Sequence, residues 1–150
     1  VYRFRYRLKQ PYDFYHEIHR WWTLSFDLTA RDIERLQGVH PHLKAVVLDA
    51  AKSTTVKFIV IEGLRTVERQ RELVEAGASR TMDSRHIHGL AVDLGAVVCG
   101  KVTWQPKIYT KIADAMLSSA AKLSHPITWG GGWASFPDLV HFELNRKFYP

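Results

Sequence analysis

The sequence predicts an α+β fold, a small antiparallel sheet with helices packed around it, on three observations. Helical and strand-like segments are mixed without the strict alternation that a parallel sheet requires. The strand candidates are short, apolar and bounded by turn residues. The 150 residues, 46% hydrophobic and 12% aromatic, suit one core and rule out two. A chain of this length buries roughly 68–70% of the surface its unfolded form exposes, which argues against disorder.

Residues 1–24 read as an N-terminal extension, distinct from a domain over residues 25–150. Arginine or lysine at positions 3, 5, 7 and 9 alternates with Tyr2, Phe4, Tyr6 and Leu8. This period of two predicts a strand with a basic and an aromatic face, either a peripheral arm or one that binds anions or membranes. Thr29 with Asp32 forms a helix-capping pattern, and Gly38 closes that short helix. After Pro41, Leu43, Val46, Val47, Ala50 and Ala51 share one face of a second helix, a core stripe. Val56–Ile61, between Ser53-Thr54-Thr55 and Gly63, reads as a buried strand.

Thr66 caps a charged helix that ends at Gly77, and a polar loop over residues 78–86 leads to a strand at Leu90–Leu94. Val98–Val102 reads as a turn into another short strand. Tyr109–Leu123 is a further helix, with Ile112, Ala115, Met116, Ser119 and Leu123 along one side. Ile127–Trp129, the loop Gly130–Gly132 and a strand over Val140–Leu144 complete the order.

Twenty-one basic against 15 acidic residues leave a net charge of +6, which favours anionic partners without choosing among nucleic acid, anionic lipid and acidic wall polymer. Cys99 is the single cysteine, so neither an intramolecular disulfide nor a cysteine-rich zinc module is available. No apolar run approaches the roughly 18 residues of a membrane span, and the N-terminal segment lacks the uninterrupted apolar stretch of a signal peptide. No transmembrane segment and no export signal are therefore expected.

The chemistry concentrates in two segments, Ser84–Asp93 and Asp138–Glu143. On a strand, Asp93 shares a face with Ala91 while Leu90, Val92 and Leu94 take the other. By the same alternation Val140, Phe142 and Leu144 enter the core and leave His141 and Glu143 opposite. Gly89 supplies a bend that lets His86 fold back toward Asp93. Two imidazoles and a carboxylate are a typical three-ligand set for a catalytic zinc, whose fourth position is left for water. Such a site needs a base, and Asp138, three residues before His141, is placed for it. Taken singly, Asp93 reads as a turn cap, His141 as a core histidine and Asp138 as part of a Pro-Asp turn at Pro137. A second histidine group, His16-Glu17-Ile18-His19 with His40 and His42, lacks a recognisable third ligand and reads as surface. Trp21 and Trp22 beside it read as packing residues.

The segment SRHIHGLAVDL resembles the S-x-H-x-x-G-x-A-x-D pattern of the zinc peptidases that include D-alanyl-D-alanine dipeptidases and carboxypeptidases, and D-x-x-H at Asp138–His141 is similar to their second motif. Within that group the chain looks like a phage endolysin of the L-alanyl-D-glutamate peptidase type. The likeness runs from Phe26 to Leu144 through RDIERLQGVHP, IEGLRTVERQRELVEAGAS, ITWGGGW and FPDLVHFEL. It implies the zinc D-Ala-D-Ala carboxypeptidase-like (Hedgehog/DD-peptidase) fold, with residues 25–150 as catalytic domain. His86, Asp93 and His141 would hold one Zn2+ per chain, and Asp138 would be the general base that returns its proton to the leaving amine. Dipeptidase relatives usually carry glutamate at that position, and aspartate agrees with the endolysin branch.

Arg65 in EGLRT matches an arginine that faces the substrate and stabilises the oxyanion in this group; its plain reading is a salt bridge to Glu62 or Glu68. Ser84 resembles the motif serine and orients the loop or contacts substrate. His88 occupies a variable motif position and competes with His86 as a ligand; His86 is preferred, with His88 supporting the site or facing substrate. Glu143 is read as a hydrogen-bond partner of a ligand histidine or as a strand-surface carboxylate.

The implied activity is hydrolysis of the peptidoglycan stem between L-alanine and D-glutamate, as a phage lysis enzyme. The rivals are a D,D-carboxypeptidase or D-Ala-D-Ala dipeptidase and, from another class, a noncatalytic basic module that binds cell wall or nucleic acid. The resemblance further implies a monomer with no nucleic-acid partner. It would accumulate in the host cytoplasm and reach the wall with a separate holin-type permeabiliser.

Overall fold

In a computed structural model the described residues are 26–150; the alternating segment at the N-terminus, His16, His19, Trp21 and Trp22 lie outside them. The first helix, α1 (Ala30–Arg35), starts on the expected capping box. The Thr29 N–H donates to Asp32 Oδ2 at 2.8 Å, and the Asp32 N–H donates to the Thr29 hydroxyl at 3.3 Å. Helix α2 (Pro41–Ser53) begins with proline in its first turn, where a missing N–H is harmless, and buries the expected Leu43, Val46, Val47, Ala50 and Ala51.

Strand β1 (Phe58–Glu62) starts two residues later than the apolar run suggests. The Thr54 hydroxyl accepts from the Val56 N–H at 3.1 Å and donates to the Val56 carbonyl at 2.8 Å, so both backbone groups of Val56 are bound in a tight turn. Thr66 caps α3 (Val67–Glu75) by accepting from the Arg69 N–H at 3.1 Å. Strand β2 (Ala91–Val98) runs four residues beyond the expected end, because its second half pairs with β1 on one side and with β3 (Lys101–Thr103) on the other. A two-residue turn, Cys99–Gly100, joins β2 to β3, with both residues at positive φ and the Cys99 thiol exposed and free. Helix α4 (Pro106–Leu123) begins three residues earlier than expected, again with proline in the first turn. Strand β4 (Ile127–Trp129) and strand β5 (His141–Leu144) close the order. Val140 stands just before β5 and is half-buried.

The sheet is antiparallel in the order β1-β2-β5-β4, with β3 on the far part of β2. Helices α2 and α4 pack on each other and on one sheet face. Leu94, Ile112, Met116 and Phe142 are fully buried there, each contributing roughly 1.5–3 kcal/mol of hydrophobic stabilisation. At the edge strand β1, α1 takes both backbone groups of Val60. Its N–H donates to Asp32 Oδ1 at 2.8 Å, and its carbonyl accepts from Arg35 Nη1 at 2.6 Å. Alternation along β2 and β5 then leaves Asp93, His141 and Glu143 on the sheet face away from the helices.

Candidate metal centre and active site

Strands β2 and β5 pair in a register that sets Asp93 directly opposite His141 and Ala91 opposite Glu143. His86 comes from a single 3-10 turn, Arg85–His88, that stops at Gly89. Gly89 has a φ of 65°, and a Cβ there would lie 2.2 Å from the Gly38 carbonyl oxygen, so the chain passes too closely for any side chain. The turn is held on both sides of its histidine. His86 Nδ1 lies 2.8 Å from the Gly63 carbonyl, and the Arg65 N–H donates to the His86 carbonyl at 3.0 Å. Arg85 Nη2 donates to the Leu144 and Tyr149 carbonyls at 3.1 and 2.6 Å, tying the turn to the end of β5.

His86 Nε2, His141 Nδ1 and Asp93 Oδ1 form a triangle with sides of 3.2, 3.2 and 3.3 Å. Hydrogen-bond partners assign the tautomers. The Gly63 carbonyl can only accept, which places the His86 proton on Nδ1; the Glu143 carboxylate, 3.1 Å from His141 Nε2, places that ring's proton on Nε2. Both inward nitrogens therefore present lone pairs to a carboxylate oxygen, and three electron pairs meet with no donor between them. A cation resolves that repulsion. Metal–ligand bonds of 2.0–2.1 Å at tetrahedral angles set donors about 3.3 Å apart, so the triangle has the dimensions of one face of a tetrahedral zinc site. These residues fit a divalent ion, and the donor group among the described residues consists of these three.

Without an ion the same groups share a proton. Burial disfavours a charged His141, but its hydrogen bonds to Asp93 and Glu143 outweigh that and raise its pKa to about 9. Burial would raise Asp93, yet the bonds to His141 and His86 hold its carboxyl well below the usual carboxylate range. Glu143, buried among the same groups, is likewise brought down to about 2 by His141 and Arg146. Arg146 Nε donates to its Oε1 at 2.8 Å. Glu143 is thus an interior anchor of His141, and the surface alternative falls.

Asp138 reaches the cluster on the loop that follows the 3-10 turn Gly130–Gly132. Its N–H donates to the Gly130 carbonyl at 3.0 Å, and a Cβ on Gly130 would meet the Asp138 carbonyl oxygen at 2.7 Å. Burial, reinforced by the charge of Asp93, raises the Asp138 carboxyl above its ordinary value, the direction that suits a proton acceptor working near neutrality. Trp133, which the sequence reading did not single out, places its ring 5.3 Å from that of His141.

Arg65 makes the salt bridge to Glu62 and also faces the cluster. Its Nη2 bonds Glu62 and lies 3.6 Å from Asp93 Oδ2, Nη1 donates to Gln70 Oε1 at 2.7 Å, and Nε has no partner among the described residues. Gln70 was also missed, because within the charged run VERQRELVE it looks like a solvent-facing residue, whereas it is fully buried. Ser84 precedes the 3-10 turn, half-buried and without a capping hydrogen bond; His88 is exposed and stands outside the donor triangle. Of the second histidine group, His40 and His42 are described. His42 stacks on His125 at 3.8 Å and meets the Tyr149 hydroxyl at 2.8 Å, while burial with His125 and His40 nearby lowers its pKa.

Among the described residues no helix is long and apolar enough to cross a membrane. The profile of the phage L-alanyl-D-glutamate peptidase family matches residues 24–150. An L-alanyl-D-glutamate peptidase of Listeria phage A118 is 34% identical over 103 residues, 69% of this chain and 36% of that protein, so the chain spans about a third of its length. An L-alanyl-D-glutamate peptidase of Escherichia phage T5 is 26% identical over 130 residues, 84% of this chain and 94% of the relative. The crystal structure of Serratia marcescens L-Ala D-Glu endopeptidase ChiX superposes with a TM-score of 0.80 at 42% identity, covering 85% of this chain and 96% of that one. With the α+β architecture, these matches make the chain a member of the phage L-alanyl-D-glutamate peptidase family.

Proposed function

We propose that the chain is a zinc-dependent endopeptidase that cuts peptidoglycan stem peptides between L-alanine and D-glutamate, as a phage lysis enzyme. The observation that carries this reading is the donor triangle of His86, Asp93 and His141 with Asp138 beside it. One ion per chain, held by those three residues, would polarise the scissile carbonyl and make water acidic enough to attack near neutral pH.

The side chains supply the rest. Asp138 takes the proton of the attacking water on its carboxylate and returns it to the leaving nitrogen as the amide bond breaks. Arg65, fixed by Glu62 and Gln70, holds positive charge where the carbonyl oxygen becomes negative. Glu143 keeps His141 in the tautomer whose Nδ1 is free. Ser84 and His88, near His86 in the chain, would contact substrate. The net charge of +6 suits an anionic wall polymer. The reading extends to a monomer that accumulates in the host cytoplasm and depends on a separate membrane permeabiliser to reach the wall.

Purified murein digested with the protein and analysed by mass spectrometry should show new L-alanine carboxyl ends and D-glutamate amino ends. Chelation should abolish the cleavage and Zn2+ should restore it. Intact stems with zinc-loaded protein would overturn the reading, and release of D-alanine or its dipeptide would move it to the D,D-peptidase alternative.

A further inference from the structure

The loop of residues 77–84, which leads to His86, and the loop of residues 133–137, which leads to Asp138, touch through a cation-π contact. The Arg80 guanidinium carbon lies 4.2 Å from the centroid of the Phe136 ring. Both side chains are exposed, Phe136 by 53%, so neither fills a core.

Each partner is anchored back to the candidate active site. Gln70 Nε2 donates to Ser79 Oγ at 2.8 Å and to the Thr81 carbonyl at 2.6 Å, gripping the residues on either side of Arg80. The same amide accepts from Arg65, which faces Asp93. On the other rim the N–H groups of Trp133 and Asp138 donate to the Gly130 carbonyl at 3.1 and 3.0 Å, closing the two ends of the loop that carries Phe136. Arg80 and Phe136 therefore complete a circuit from Asp93 round to Asp138.

A guanidinium attracted to a ring through its face keeps its N–H edge available. Among the described residues Arg80 makes no salt bridge to a carboxylate. We propose that Arg80, held in place by Phe136, is a specificity residue that binds a free carboxylate of the substrate beside the scissile amide. The inference deepens the endopeptidase reading and rests on it. A glutamyl residue within a chain uses one carboxyl group for the next linkage and keeps the other. A stem cut on the amino side of glutamate thus carries an anion within one residue of the reacting carbonyl. The planar fork of arginine matches that group, and the ring beneath it reduces the freedom lost on binding.

The test is steady-state cleavage of two synthetic stem peptides, one with the glutamate carboxylate free and one with it amidated, by zinc-loaded unaltered protein, Arg80→Gln and Phe136→Leu. Circular dichroism verifies that each variant is folded. The unaltered protein should show a KM about tenfold lower for the acid than for the amide, with similar kcat. Arg80→Gln should remove that preference by raising KM for the acid alone, and Phe136→Leu should reduce it part of the way. Equal KM values for the two peptides with unaltered protein, or an equal loss on both with Arg80→Gln, would overturn the carboxylate site while leaving the peptidase reading standing. Cleavage of neither peptide by unaltered protein overturns the peptidase reading, and this inference with it.

Discussion

Asp138 and Asp93 are both carboxylates of the candidate site, and their surroundings shift them in opposite directions. Asp93, set between two imidazoles, stays ionised; Asp138, partly desolvated and near that negative charge, is pushed toward holding a proton. Under the proposed reading, that division suits Asp93 to cation binding and Asp138 to proton transfer. Asparagine at position 138 preserves size and shape but cannot take a proton. Asp138→Asn should lower peptide turnover by about 100- to 10,000-fold while zinc stays at one per chain, because the donor triangle does not use this residue. Turnover assays paired with metal analysis check this. Unchanged turnover would remove Asp138 from proton transfer, and loss of zinc would make it a ligand.

At the scale of elements, the faces of β2 and β5 were legible because strand alternation is strict. Once Val92, Leu94, Phe142 and Leu144 are assigned to the core, Asp93 and His141 must share the other side, and the register sets them opposite. Gly89 was legible as a bend. What the sequence could not disclose is non-local. The extent of β2 depends on partners from two other strands, the start of β1 on a threonine turn, and the burial of Gln70 on a loop that folds back over α3. Gly89 offers a test of how an element delivers a ligand, with Gly100 as its control. Both have positive φ, but a Cβ on Gly100 meets nothing, while one on Gly89 strikes the Gly38 backbone. Gly100→Ala should cost about 1–2 kcal/mol for the backbone conformation alone. Gly89→Ala should cost more and also weaken zinc binding, since the 3-10 turn carrying His86 must move. Urea denaturation and a competitive zinc titration separate the two effects. Equal zinc affinity in both variants would show that the close passage at Gly89 does not position His86.

For the molecule as a whole, the cluster ties stability to pH through groups that lie between the sheet and its loops. In metal-free protein His141 is raised from its ordinary 6.5 to about 9, so its contribution is complete below pH 6.5 and is lost as pH rises through 9. That rise corresponds to on the order of 3 kcal/mol. The carboxylates act at the other end. Glu143 is lowered from 4.5 to about 2, so its contribution is complete above pH 4.5 and fades as pH falls toward 2; Asp93, also depressed, fades in the same direction below its ordinary 3.8. Metal-free protein should therefore be most stable between about pH 4.5 and 6.5 and weaken steadily from 6.5 to 9. A bound ion takes the place of the His141 proton, so zinc-loaded protein should escape the alkaline loss and instead lose its advantage in acid, where protons compete for the ligands. Thermal unfolding of chelated and zinc-loaded protein from pH 4 to 9.5 measures both curves, and zinc stabilisation should widen across the interval from 6.5 to 9. Parallel curves over that interval would mean that the ion does not displace a proton from His141, and would detach the pH response from the donor triangle.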